Sequence, residues 1–466
     1  MRNILFITIF ILSACSVGDK YEHKEFASDG EIKGTLKLST PPEIISSDWY
    51  TIFKDSDLNT LIQKAENSNI DISQAIKRLQ QSRHQLSIYS KEMYPLINGV
   101  AEYNYQKSNN STHSLNNTNN FQVGFDVSWE IDIWGKGKYI SDQYYEIMKQ
   151  AEYSINDTKL SINSEIIKNY INLRLAQEKL KIARKNLKLQ KETLQTVKDK
   201  FDAGITDDLA LNQAIFSVEN TKSTIPQIKE DIERYKNAIY VLLGELPSNT
   251  SINLDKYKRN ITSNAFKYSV NKLYKIPLSA IRNRADIRIA EQSVKTQNAV
   301  VNQAITDLYP TLDIGASFGF ISNSARKLFY QNKQIYGYTP NITIPIWHWG
   351  MLTNNIELQK SIKEEYLLNY NETMLTAIME IKDNITFIEE TYKTNNHLRK
   401  AKDKMKQILN LTRVKYENGL LEFVELARAE QNLLDAENNL IENNAQILQN
   451  ITSFYKSIGG GYSIKD

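Results

Sequence analysis

The sequence predicts a mainly α-helical chain that also contributes a few strands to a membrane β-barrel, and three observations predict it. First, Ile166, Leu173, Leu180, Leu187, Leu194 and Phe201 recur every seven residues, the seam of a coiled coil. Second, "FQVGFDVSWEIDIWG", from Phe121 to Gly135, alternates strictly, with Phe, Val, Trp and Ile on one face and Gln, Asp, Ser and Glu on the other. Third, motifs recur at one offset: Tyr94-Pro95 returns as Tyr309-Pro310, and 309 − 94 = 215. Trp134-Gly135 and Trp349-Gly350, Asp71-Ile72 and Asp286-Ile287, Gly204 and Gly419, and Gly244 and Gly459 keep that spacing. Chance pairs would scatter in offset, so the chain is two internal repeats of one unit.

In order along the chain, "MRNILFITIFILSACS" holds one basic residue, an apolar run and then small residues, which reads as a signal peptide over 1–14. The only cysteine, Cys15, closes "LSAC", a lipobox-like site, and is expected to be lipidated as the first mature residue. Ser16 follows it rather than an aspartate, so the resemblance to a bacterial lipobox implies sorting to the outer membrane. Residues 15–54 form a lipidated N-terminal segment. The first repeat, 55–244, carries helices at 55–93, 136–201 and 206–243 and strands at 96–106 and 121–134, with a polar hairpin loop from Lys107 to Asn120. Pro226 should kink or break the last of these helices. An irregular joint, 245–274, leads to the second repeat, 275–459. Its helices are expected at 275–308, 351–416 and 420–457 and its strands at 311–321 and 335–348, with Pro345 marking a bend; a tail, 460–466, ends the chain.

Composition narrows the function. With 466 residues, 17 glycines and 9 prolines, the chain favours long helices over a loop-rich fold. Its mean hydropathy of −0.47 excludes a helical membrane protein. A net charge of +3 with both signs dispersed gives no nucleic-acid footprint. The five histidines are scattered, the seven methionines do not cluster, and no phosphate loop, dinucleotide fingerprint or nucleophile elbow is present, so neither an enzyme nor a cofactor beyond the lipid on Cys15 is expected.

Four alternating strands cannot close a barrel or bury their apolar faces against one another. A face of Phe125, Val127, Trp129, Phe318 and Ile344 suits lipid, and one of Asp126, Ser128 and Glu130 suits water. Two chains would give eight strands, too narrow for a channel, whereas three give twelve, with room for water.

At this point the chain resembles a family. "DWYTIFKDSDLNTLI" from Asp48, "WEIDIWGKGK" from Trp129, "FDAGITDDLALNQA" from Phe201, "YENGLLEFVELARAEQ" from Tyr416 and "FYKSIGGGYS" from Phe454 together are similar to the TolC-type outer-membrane efflux factors, in their lipoprotein, NodT-like branch. The resemblance implies a homotrimer with a 12-stranded barrel in outer-membrane lipid and a long coiled-coil α-helical barrel in the periplasm. An equatorial region would be built from both termini and the joint. It implies a passive duct, the outer-membrane component of a tripartite efflux pump for small molecules, working with a periplasmic adaptor and an inner-membrane RND-type pump. Type I protein secretion uses the same fold and stays open, as does, from another class, a non-transporting periplasmic scaffold. Gly204, Ile205, Gly419, Leu420 and Leu421 would form the periplasmic tips that dock the adaptor, with Ile205, Leu420 and Leu421 exposed. Val424, Glu425 and Arg428 would line the periplasmic gate; the family commonly places acids at the positions of Glu425 and Arg428, so Arg428 departs and suggests Glu–Arg pairs there.

Overall fold

A computed structural model describes residues 17–18, 31–33, 48–109, 115–247, 254–255, 275–277 and 281–461. The signal segment, Cys15 and most of the 245–274 joint lie outside the described residues.

The duplication is visible in the element boundaries themselves. Helix α3 (Lys136–Asp202) and helix α6 (Met351–Glu417) have 67 residues each, and their ends differ by 215 positions. The return helices α4 (Asp208–Leu242) and α7 (Phe423–Ser457) have 35 residues each and keep the same offset. At 1.5 Å per residue, α3 and α6 are each about 100 Å long. All four end alike. Gly204, Gly244, Gly419 and Gly459 take positive φ, and the next residue's amide reaches back to Lys200, Tyr240, Lys415 and Tyr455 at 2.8–2.9 Å. Those are Schellman caps, which a side chain with a Cβ would strain.

Several expected boundaries are corrected. The helix expected over 55–93 is two, α1 (Ser56–Ser68) and α2 (Ile70–Tyr89). Asn69 breaks it, because its side chain accepts from the Ile72 amide at 3.0 Å and donates to the Leu242 carbonyl at 2.8 Å. The second repeat does not open on a helix at 275. Lys275–Pro277 is a strand, β4, paired antiparallel with β1 (Glu31–Lys33), and α5 (Ala285–Thr306) begins ten residues later than expected. Helix α4 runs through Pro226 unbroken. The hairpin loop is shorter than expected, since β2 (Leu96–Asn109) and β3 (Leu115–Glu130) pair as far as Asn109↔Leu115. Strand β3 ends at Glu130 rather than 134, and β6 (Gln334–Thr343) ends short of Pro345. Strand β5 (Thr311–Ser322) lies as expected.

The repeats are not the compact units. One unit gathers Lys77–Glu152 with Ile289–Asn371, and a second gathers Tyr153–Arg288 with Glu372–Asp466. Each therefore mixes both repeats, because strands and helices of one repeat pair with those of the other. In the first unit a single antiparallel sheet runs β2-β3-β5-β6. In the second, Trp49 of the N-terminal segment is buried and stacks on Tyr455 of α7 at 5.2 Å, joining the two ends of the chain. Among the described residues no helix is long and apolar enough to cross a membrane.

Candidate functional site

The register of the sheet sorts its side chains. Opposite residues share a face, and Ile97, Val127, Ala316 and Tyr338 lie in one row across all four strands. The same face holds Phe125 opposite Phe318, Trp129 opposite Ile314 and Leu312 opposite Ile342. Phe125 and Phe318 are more than half exposed, as is Ile344 just past β6. Val127 and Trp129 are half-buried, and the Trp129 indole donates to the Met93 carbonyl at 2.9 Å. The other face carries Glu102, Asp126, Ser128, Glu130 and Asp313. The polar face is also where backbones crowd. A Cβ on Gly124 would lie 2.5 Å from the Phe318 carbonyl oxygen, and one on Gly319 2.5 Å from that of Val123. These two glycines face each other, so neither position leaves room for a side chain on that face. Among the described residues both outer strands, β2 and β6, keep a free edge.

In the second unit, the turn after α3 exposes Ile205 and the turn after α6 exposes Leu420, each about 70 % accessible. Leu421 is half-buried rather than exposed, because the chain there has turned back toward the Glu422 N-cap and the buried Phe423. Beneath the turns Val197, Ala210, Ala214, Leu409, Tyr416, Phe423, Leu426 and Ala429 form one apolar cluster. Lys200 spans it, with its ammonium donating to the Tyr416 carbonyl at 3.2 Å and lying 4.1 Å from the Tyr416 ring centre.

Of the expected gate residues, Val424 and Glu425 are half-buried and Arg428 is exposed. Arg428 donates to Glu425 at 3.1 Å, so the i, i+3 pair forms within one chain. One residue escaped the sequence reasoning. Glu430 is 3 % exposed, accepts from the Thr193 hydroxyl at 3.0 Å and faces Arg413 at 3.4 Å. Burial pushes its carboxyl above the usual range despite both partners. The signal was available, since Glu430 falls on the stripe of Phe423, Leu426 and Leu433 at three- and four-residue spacing. Among the described residues no group of His, Cys, Asp and Glu could hold a metal ion.

Comparison with known proteins agrees with this geometry. The model of the family described as outer membrane efflux protein matches residues 61–245 and again 276–460, two matches displaced by the same 215 residues. The cation efflux system protein CusC of Escherichia coli O6:H1 is 23% identical over 465 residues, covering 98% of each chain. The probable outer membrane lipoprotein SilC of Salmonella typhimurium is 24% identical over 468 residues, covering 98% of this chain and 97% of the relative. Among solved structures the outer-membrane channel OprN superposes with a TM-score of 0.88 at 24% identity, over 96% of this chain and 99% of that one.

Proposed function

This chain belongs to the outer membrane efflux protein family, and from that premise we propose how it works. It is an outer-membrane efflux channel reaching into the periplasm. Three copies close a twelve-stranded barrel, and the pore is a passive duct. An adaptor docks at the turns of Gly204-Ile205 and Gly419-Leu420-Leu421, and an RND-type pump in the inner membrane supplies the energy and selects the substrate. Val424, Glu425 and Arg428 ring the periplasmic opening. Acyl chains on Cys15 add an anchor to a barrel that already holds itself in lipid.

The observation that carries the reading is the sheet. Four strands turn an apolar face one way and an acidic face the other, and they keep both edges free. An apolar sheet face and two open edges are expensive in water and ordinary in a lipid-embedded closed barrel. The names of the relatives support efflux, one of them for cations, so the substrates proposed are small toxic solutes rather than proteins.

Conductance of the purified protein in a planar bilayer tests this. Discrete steps are expected, and in a salt gradient the reversal potential should favour cations, because the polar face carries Glu102, Asp126, Glu130 and Asp313. A trimer that inserts and does not conduct would leave the scaffold reading in its place.

A further inference from the structure

We propose that a cavity in the second unit binds the charged head of an amino acid or short peptide, taking its ammonium on Asp157 and its carboxylate on Lys456. The cavity measures about 440 Å³ and lies wholly within that unit, lined from α3, the turn into α5, α6 and the end of α7. Its floor grew out of the duplication. In the first repeat the Asn69 side-chain amide donates to the Leu242 carbonyl at 2.8 Å. Arg284 stands 215 residues on and donates to the Ser457 carbonyl at 2.6 Å in the same way. The longer side chain also reaches both Asp286 oxygens, at 3.1 and 2.7 Å, and Glu380 at 2.8 Å. Arg284 is 8% exposed, so its guanidinium is fixed in place with two carboxylates on it.

Two charges in the wall remain uncommitted. Asp157 is half-buried on α3 and Lys456 is exposed on the last turn of α7. Among the described residues neither side chain makes a hydrogen bond or an ion pair. They act on each other without touching. Burial, and next the Asp286 charge, push the Asp157 carboxyl above the usual range, while Lys456 and Arg284 pull the other way. Half withdrawn from water and unbonded, that carboxylate carries a desolvation cost that a donor from outside relieves.

The charge count selects the donor. Arg284 and Lys456 stand against Asp157, Asp286 and Glu380, which leaves one negative charge in excess. A plain carboxylate or phosphate is therefore disfavoured, and the ligand must bring a cation. A bare metal ion finds too few free oxygens, since Asp286 and Glu380 are already paired with Arg284. A zwitterionic head suits both ends. Its ammonium donates to Asp157, with the Ser161 hydroxyl one helical turn away, and its carboxylate accepts from Lys456. The volume falls within the roughly 300–1,000 Å³ of ligand pockets, enough for a peptide of a few residues. Free peptides and the stem peptides of the cell wall both present this head in the periplasm, and the second source would tether the duct to the wall.

Calorimetric titration of the purified full-length protein with alanyl-alanine tests the site, and saturable binding is expected. The N-acetylated dipeptide, which lacks the ammonium, should bind about ten- to a hundredfold more weakly, and Asp157→Asn should weaken the free dipeptide by as much. Amidating the carboxylate, or Lys456→Gln, should cost less, because Lys456 is exposed. Neither substitution breaks a side-chain bond of the fold, so both variants should melt with the wild type. Soluble stem-peptide fragments of the cell wall separate the two sources. Binding tighter than the dipeptide's assigns the site to the wall, and equal binding assigns it to free peptides. Absence of saturable binding by both probes overturns the proposal. So does an N-acetylated dipeptide that binds as well as the free one, or an Asp157→Asn protein that binds like wild type.

Discussion

At the turn between α3 and α4, the Asp207 carboxylate accepts from the Ala210 amide at 3.0 Å, and Asp208 follows in the first helical turn. At the turn between α6 and α7, 215 residues on, Glu422 stands in the place of Asp207 without a side-chain bond to the new helix. Phe423 stands in the place of Asp208 and is buried, its ring 6.1 Å from that of Tyr416. Both turns keep the same Schellman hydrogen bonds. Duplication has thus preserved the backbone and changed the anchor, from a capping carboxylate in one tip to a packed ring in the other. The first tip should fail when a charge is lost and the second when volume is lost.

The largest effect should come from volume. Phe423→Ala removes a buried ring from the apolar cluster under the turns and should cost about 3–5 kcal/mol in urea unfolding. Asp208→Ala, at the equivalent position, removes only an exposed charge near a helix N-terminus and should cost about 0.3–1 kcal/mol. Equal losses would abolish the distinction between the tips. The cap comes next. Asp207→Ala should cost about 1 kcal/mol, while Glu422→Ala, which breaks no cap bond, should be close to neutral. Hydrogen exchange at the Ala210 and Glu425 amides would show each loss at its own turn.

How much of this was legible beforehand follows from what a one-dimensional pattern can carry. The offset of 215, the coiled-coil seam and the two-faced strands are periodic, and the structure keeps the offset to the residue at α3, α4, α6 and α7. The break at Asn69 was only half legible: Asn is a favoured N-cap and accepts from the nearby Ile72 amide, but its other partner is the Leu242 carbonyl, 173 residues away. Strand β4 was hidden for a similar reason, since three residues have no period and its pairing lies with β1. Pro226 misled in the other direction, because Pro carries a general helix penalty and α4 nevertheless continues through it. At the tips, the Glu425–Arg428 pair was readable from its spacing alone. Glu430 needed the apolar stripe to be read for its exception as well as its rule.

Glu430 also offers a smaller test, through pH. It replaces Ile215 of the first repeat, and its carboxyl is raised above 4.5 by burial, with Thr193 and Arg413 opposing. A raised carboxyl contributes stability fully below the unfolded value and loses it as pH rises through the folded one. Stability measured from pH 4.5 to 7.5 should therefore contain a declining part that Glu430→Gln removes, since the amide still accepts from Thr193. If wild type and Glu430→Gln keep parallel pH profiles, the carboxyl is no more perturbed in the folded chain than in the unfolded one.

The smallest effect on stability should carry the largest effect on function. Glu425 and Arg428 are 46% and 64% exposed, so their ion pair stabilises the helix by only a few tenths of a kcal/mol. The first repeat has Ala210 and Gln213 at these positions, with no charge, so any electrostatic closure belongs to the second tip. In a trimer, Arg428→Glu would set two carboxylates three residues apart on each of three neighbouring helices. Melting should hardly change, while conductance at about 0.1 M salt should rise, because like charges at the opening repel over a screening length of about 10 Å. At about 1 M that length falls to roughly 3 Å and the gain should shrink accordingly. Gln213→Glu, which places a carboxylate on the first tip with no second carboxylate beside it, should leave conductance unchanged. An Arg428→Glu trimer that conducts like wild type at low salt would reduce the pair to an ordinary solvated one and place the closure in the packing around Phe423.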